Sequence, residues 1–165
     1  MGAIFTRTSV RSYEDKPVEP EKIEMILRAA MAAPSSSNQQ PWEFYVVTNK
    51  DILKQLSVVK PFAEMAAKAP VAIVPCQRKN GLKTPIRASI DMAICAENIL
   101  LEIEAQGLGG VMLGVAPDPK VMEKVGDIIH IREDLEAFTI IPFGYPEKKH
   151  PQQDRFDESR VHYIK

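Results

Sequence analysis

Hydrophobic positions change period along this chain, and the changes mark out its elements. Between Pro20 and Ala33, the residues Ile23, Ile26, Leu27 and Ala30 recur at helical steps, the spacing of one buried face. Pro20 falls in the first turn, where its missing N–H costs nothing. The pattern stops at Pro34, and a polar hinge leads through Pro41-Trp42 into an apolar, β-prone run from Glu43 to Thr48. Short helices are expected over Asp51 to Val59 and Pro61 to Lys68, then a buried strand from Pro70 to Pro75, bounded by prolines. Gln77 to Pro85 reads as a polar, mobile loop. Ala88 to Gln106 is the longest helical pattern, with Ile90, Met92, Ile94, Cys95, Ile99, Leu100 and Ile103 spread around nearly its whole circumference. A helix apolar on most sides must be covered on most sides, and a second copy of the chain is a natural cover, so a homodimer with this helix at its interface is expected. Gly107 stops the helix, a close-packed strand follows, Asp118-Pro119 caps a helix to about Ile129, and Phe138 to Pro146 forms a last strand and turn. The tail from Glu147 to Lys165 is too polar to build core; it frays or lies on a partner.

Composition narrows the class. The 165 residues, 45% of them hydrophobic, suit one domain with a real core. Lys plus Arg total 21 against 22 for Asp plus Glu, so no global field draws nucleic acid or an anionic membrane. No apolar run approaches a membrane span, and Met1 to Phe5 is too short for a signal-peptide core. The expectation is a soluble cytoplasmic protein. Cys76 and Cys95 form no CxxC pair and imply no disulfide framework; Cys95 reads as a buried small hydrophobe, and Cys76 could lie near a pocket.

Candidate chemistry is concentrated in three stretches. In an extended N-terminus, Arg7, Ser9 and Arg11 share a face, presenting two planar forks and a hydroxyl that suit phosphate oxygens; a solvated basic terminus is the alternative. Ser35, Ser36, Ser37, Asn38, Gln39 and Gln40 offer many hydrogen-bonding groups and no charge, which suits a neutral polar ligand, although these are also ordinary turn residues. The glycines of G-L-G-G-V-M-L-G, starting at Gly107, fail the dinucleotide fingerprint, because Met112 stands where a third glycine is needed and the run follows a helix. They let main chain approach something flat. His130, His150 and His162 are scattered, with no metal-ligand spacing, GxSxG elbow or P-loop. If the protein is an enzyme, a cofactor carries the reaction.

The R-T-S-V-R of Arg7 to Arg11, the A-P-S-S-S-N-Q-Q-P-W of Ala33 to Trp42, the G-L-G-G-V-M-L-G after a long helix, and P-F-G-Y-P with a downstream arginine, in that order, resemble the FMN-dependent nitroreductase superfamily over essentially the whole chain. The resemblance implies a single α+β domain over residues 1–165, a three-layer α/β/α fold around a mixed, largely antiparallel sheet. It also implies an obligate homodimer with exchanged C-terminal tails and two FMN sites at the subunit interface. Arg7, Thr8, Ser9 and Arg11 match the segment that holds the FMN phosphate, ribityl chain and pyrimidine edge, with Thr8 replacing a commoner arginine. Arg155 matches a tail arginine that returns to the phosphate. Pro34, Ser35, Ser36 and Asn38 match a hinge that approaches the flavin from the other subunit. Met112, Leu113 and Gly114 match the strand whose backbone faces the flavin ring, and Gly109 and Gly110 would allow that ring close.

The activity implied is ping-pong reduction of nitroaromatics, quinones or related small acceptors by NADH or NADPH, with no catalytic residue from the protein. Relatives on the same scaffold dehalogenate iodinated tyrosine or fragment flavin; the shortness of the Gln77 to Pro85 segment favours an open, promiscuous site. The competing reading is a flavin-binding or sensing protein without turnover.

Overall fold

Strand β2 (Val71–Arg78) lies at the centre of the sheet. It pairs antiparallel with β1 (Trp42–Val47) on one side and with β5 (Leu135–Ala137) and β6 (Thr139–Gly144) on the other. β6 in turn pairs antiparallel with β3 (Gly109–Gly110) and β4 (Leu113–Gly114). Among the described residues the parallel component of the expected mixed sheet is a single bridge between Ser9 and Gly110. The structure is a computed structural model and describes residues 2–148, 151–152 and 154–165; His150 lies outside them.

Side chains alternate across β2 and so feed two cores. Val71 and Ile73 join Ile26 and Ala30 of α1 (Pro20–Met31) and Met92, Cys95 and Ile99 of α3 (Ala88–Ala105). Ala72, Val74 and Cys76 join Leu53 and Leu56 of α2 (Lys50–Leu56) and Val125 and Ile129 of α4 (Pro119–Ile129). Helices thus cover both faces of the sheet. Among the described residues no helix is long and apolar enough to cross a membrane.

The proline expected to close β2 lies inside it. Pro75 has no N–H for the ladder, and opposite it the partner strand breaks: Ile73 faces Ile141 while Cys76 faces Ala137, so the chain between β5 and β6 holds one extra residue. The missing donor is absorbed by a bulge, and Phe138 N donates to Pro75 O at 3.0 Å. This also explains β5, which hydrophobic pattern alone did not reveal.

The helix expected over Pro61 to Lys68 is only a 3₁₀ turn at Glu64–Ala67, because Phe62 is left-handed (φ 65°) and prevents a continuous helix. Gly107, at φ 74°, ends α3 as expected: Leu108 N bonds Ile103 O and Gly107 N bonds Glu104 O, both at 3.0 Å, which satisfies the last carbonyls. Asp118 caps α4 by accepting from the Lys120 and Val121 amides.

Candidate functional site

The N-terminal segment is laid against the end of β3. Val10 N donates to Gly110 O at 3.0 Å, beside the Ser9 bridge to the same glycine. The buried Tyr13 hydroxyl lies 2.8 Å from Val10 O and 3.0 Å from Pro142 O and shares its proton between them. Burial raises its pKa far above the ordinary phenol range, so it stays protonated and a donor. Residues 7 to 11 are therefore fixed in place by backbone bonds and one buried phenol.

The tail meets this segment. Gln152 Nε2 donates to Ile4 O (3.1 Å) and Arg7 O (3.3 Å), and a cavity of about 370 Å³ is lined by Arg7, Thr8, Ser9, Arg11, Pro151, Gln152 and Arg155. Arg7, Arg11 and Arg155, from the two ends of the chain, line it, and among the described residues no carboxylate does. Arg7 makes one loose ion pair with Glu97 on α3 at 3.6 Å, Arg11 reaches only Ser9 O at 3.5 Å, and Arg155 has no partner among the described residues. Guanidiniums with unspent donors beside two hydroxyls are the chemistry that matches phosphate oxygens. The expected grouping of Arg7, Thr8, Ser9 and Arg11 with Arg155 is what the fold produces.

Pro34, Ser35, Ser36 and Asn38 do not line that cavity. They lie on the hinge between α1 and β1, where Ser36–Asn38 forms a 3₁₀ turn and Ser37, Asn38 and Gln40 take left-handed backbones with φ of 53°, 50° and 46°. The conformation is held from outside by residues that the sequence pattern did not single out. Buried Asp91 of α3 accepts from Ser36 N at 3.0 Å and from Gln39 Nε2 at 2.6 Å. Gln39, also buried, exchanges bonds with the Thr84 backbone, donating at 3.1 Å and accepting at 2.9 Å. Arg78 Nη2 donates to Gln39 O at 2.7 Å and Gln40 O at 2.9 Å. The polar segment read as a mobile loop therefore begins as the end of β2 and is bonded to the hinge. Asp91 could have been suspected as a carboxylate on an otherwise apolar helix face.

Met112 is exposed, Leu113 is buried by its side chain, and Gly114 leaves its backbone open. Lys60 Nζ donates to Gly114 O at 2.6 Å. Gly109 and Gly110 need no ring to explain them: a Cβ on Gly109 would come 2.6 Å from Val10 Cγ2, and one on Gly110 3.1 Å from Phe143 Cβ. What comes close to these glycines is protein, which corrects the expectation. Cys76 is fully buried, as is Cys95, and burial pushes both thiols up to about 12. No group of three or more potential metal-ligating side chains occurs among the described residues.

A profile of the nitroreductase family matches residues 4–60 and 57–145. The chain belongs to the nitroreductase family of oxidoreductases. It is 39% identical over 163 residues to a protein of Methanothermobacter thermautotrophicus provisionally named NADH dehydrogenase/NAD(P)H nitroreductase, covering 99% of this chain and 85% of that one. A Clostridium acetobutylicum structure, provisionally named an NADH oxidase, superposes with a TM-score of 0.94 at 40% identity over 99% of both chains. An FMN-dependent nitroreductase from Clostridium difficile superposes with a TM-score of 0.90 at 28% identity over 99% of this chain and 98% of that one.

Proposed function

We propose that this protein is a homodimeric, cytoplasmic NAD(P)H-dependent oxidoreductase that binds FMN and reduces small acceptors such as nitroaromatics and quinones. The observation that carries the reading is the convergence of Arg7, Arg11 and Arg155 on one cavity, with no carboxylate among its described lining residues. When bound, FMN supplies reversible hydride acceptance. The residues of this chain bind and orient it. The three guanidiniums and the Thr8 and Ser9 hydroxyls would hold the phosphate and polyol end, the neutral hinge of Pro34, Ser35, Ser36 and Asn38 would meet the amide-like edge, and the Met112 to Gly114 backbone would face the ring. An arginine of the Arg7 to Arg11 segment that reaches the pyrimidine edge would stabilise negative charge developing there on reduction. Donor and acceptor use the same place in turn, which is a ping-pong scheme.

The dimer is supported by α3. Ile86, just before it, and Ile90 and Ile94 recur every four residues on one stripe, at 89%, 58% and 36% exposure, while the opposite faces of the helix are buried in the core. A second copy would cover that stripe and bring a hinge toward an arginine pocket. The tail beyond Arg155 is exposed throughout, including Phe156, Tyr163 and Ile164, which suits a segment that lies on a partner. The unlinked thiols suit a reducing compartment.

The test is the visible spectrum of the purified protein, with anaerobic addition of NADH and of NADPH. A flavin spectrum that bleaches is expected, and the faster donor identifies the preferred nucleotide. A protein that stays colourless after incubation with FMN would refute the reading, and bound flavin that neither nucleotide reduces would replace turnover with a sensing role.

A further inference from the structure

The hinge adopts a conformation its own sequence does not favour. Three non-glycine residues within four positions are left-handed, each a sparsely populated state that persists only when surroundings impose it. The hinge's internal bonds are the two of the 3₁₀ turn, Asn38 N to Ser35 O and Gln39 N to Ser36 O, both at 3.0 Å, and two exposed side-chain bonds, in which Ser35 Oγ accepts from Gln40 N at 3.0 Å and Asn38 Oδ1 from Gln40 Nε2 at 3.1 Å. The imposing contacts come from elsewhere. Asp91 is 2% exposed, and both of its carboxylate oxygens are directed at the hinge, one to the Ser36 amide and one to the Gln39 side chain. Arg78 places one nitrogen between two successive carbonyls, those of Gln39 and Gln40, and its own amide donates to Pro41 O at 2.8 Å. The left-handed turn at Gln40 lies within this run of carbonyls. Thr84 completes the frame through both backbone groups.

We propose that Asp91 and Arg78 are positioning residues that preorganise the hinge, so that the neutral donors and acceptors of Ser35, Ser36 and Asn38 stand ready for the cofactor's amide-like edge before it binds. The inference rests on the FMN reading above. A hinge held in place in the free protein spares the ligand the cost of ordering it, and a buried carboxylate bonded to an amide and to a side-chain donor is a costly arrangement to maintain for a connector alone. It also gives the 79 to 84 segment a role. The segment ties the end of β2 to the hinge rather than acting as a free substrate lid.

The test compares Asp91→Asn, Arg78→Met and Arg78→Lys, with Arg132→Met as a control. Arg132 joins Glu43 (2.9 Å) and Asp134 (2.8 Å) on the surface and is a comparable ion-pair brace outside the hinge. FMN affinity is measured by flavin fluorescence quenching, the flavin environment by visible circular dichroism, and folding by thermal melting of flavin-free protein. Arg78→Met and Asp91→Asn are expected to weaken FMN by roughly tenfold or more, the scale of a lost charged hydrogen bond, and to alter the flavin dichroism. Arg78→Lys is expected to restore most of the affinity, because a single ammonium can also bridge two carbonyls. Arg132→Met is expected to leave both flavin readouts unchanged.

Folded Arg78→Met and Asp91→Asn proteins with wild-type affinity and dichroism would overturn the inference and leave the FMN reading standing. So would loss of affinity only in step with loss of folding. If Asp91→Asn does not fold, the Arg78 pair still decides. A wild-type protein that takes up no FMN overturns both.

Discussion

Val10 occupies the space that a side chain on Gly109 would need: a Cβ there lies 2.6 Å from Val10 Cγ2, 2.7 Å from Val10 Cβ and 2.9 Å from Val10 Cγ1. This close approach seats the segment bearing Arg7, Ser9 and Arg11 against β3, where the Val10 amide reaches Gly110 O. Gly109→Ala should therefore lower stability by about 1–3 kcal/mol, the scale of overpacking, and also weaken FMN binding by displacing the arginines. Urea unfolding and a flavin titration check the two effects; destabilisation with unchanged affinity would break the link between them.

Arg155→Ala and Arg7→Ala should each weaken FMN by about 1.5–3 kcal/mol, the cost of truncating one charged hydrogen-bond partner. The effect of Arg7 should be the smaller if its contact with Glu97 (3.6 Å) already diverts part of its charge. Affinity should fall with added salt, since the cavity is open to solvent and its charges are screened. Equilibrium dialysis at two ionic strengths tests both points, and two variants that bind as wild type would remove the phosphate role.

Ile90→Glu should convert a dimer to a monomer. Ile90 is 58% exposed in the single chain, so the substitution costs the isolated fold little, whereas a carboxylate inside an apolar interface has no partner. Sedimentation velocity reads the outcome; a variant that sediments like wild type would move the interface away from this stripe.

Stability should fall above about pH 9. Cys76 and Cys95 have thiols pushed up by burial from an ordinary value of 9.0 to about 12. The folded protein keeps protons that the unfolded chain releases, so their contribution is intact below pH 9 and is lost as pH rises toward 12. Each thiol adds a slope of about 1.4 kcal/mol per pH unit in that window. Urea unfolding at pH 8 and pH 10 should show a smaller loss in a Cys76→Ala, Cys95→Ala variant than in wild type. Equal losses would mean that the thiols are not held neutral by the fold.

Much of this molecule is legible without coordinates. Short-range physics sets the start of α1 at Pro20, the capping of α4 by Asp118, the stop of α3 at Gly107 and the buried face of Ile26 and Ala30, because each depends on neighbours within a turn or two. The four separated motifs are legible as a set. The course of β2 through Pro75 was not, since the bulge that accommodates it lies some 60 residues away in β5 and β6.

The sequence alone determined which side chains could hold an anion and which stretch could meet a neutral polar edge, because charge and hydrogen-bonding capacity belong to the residues themselves. Only the tertiary structure decided that Arg155 joins Arg7 and Arg11, that Gly109 is required by Val10 rather than by a ligand, and that Asp91 and Arg78 fix the hinge. Those are contacts between residues distant in the chain. Their existence depends on how the two helical layers close over the sheet, and no local pattern records that.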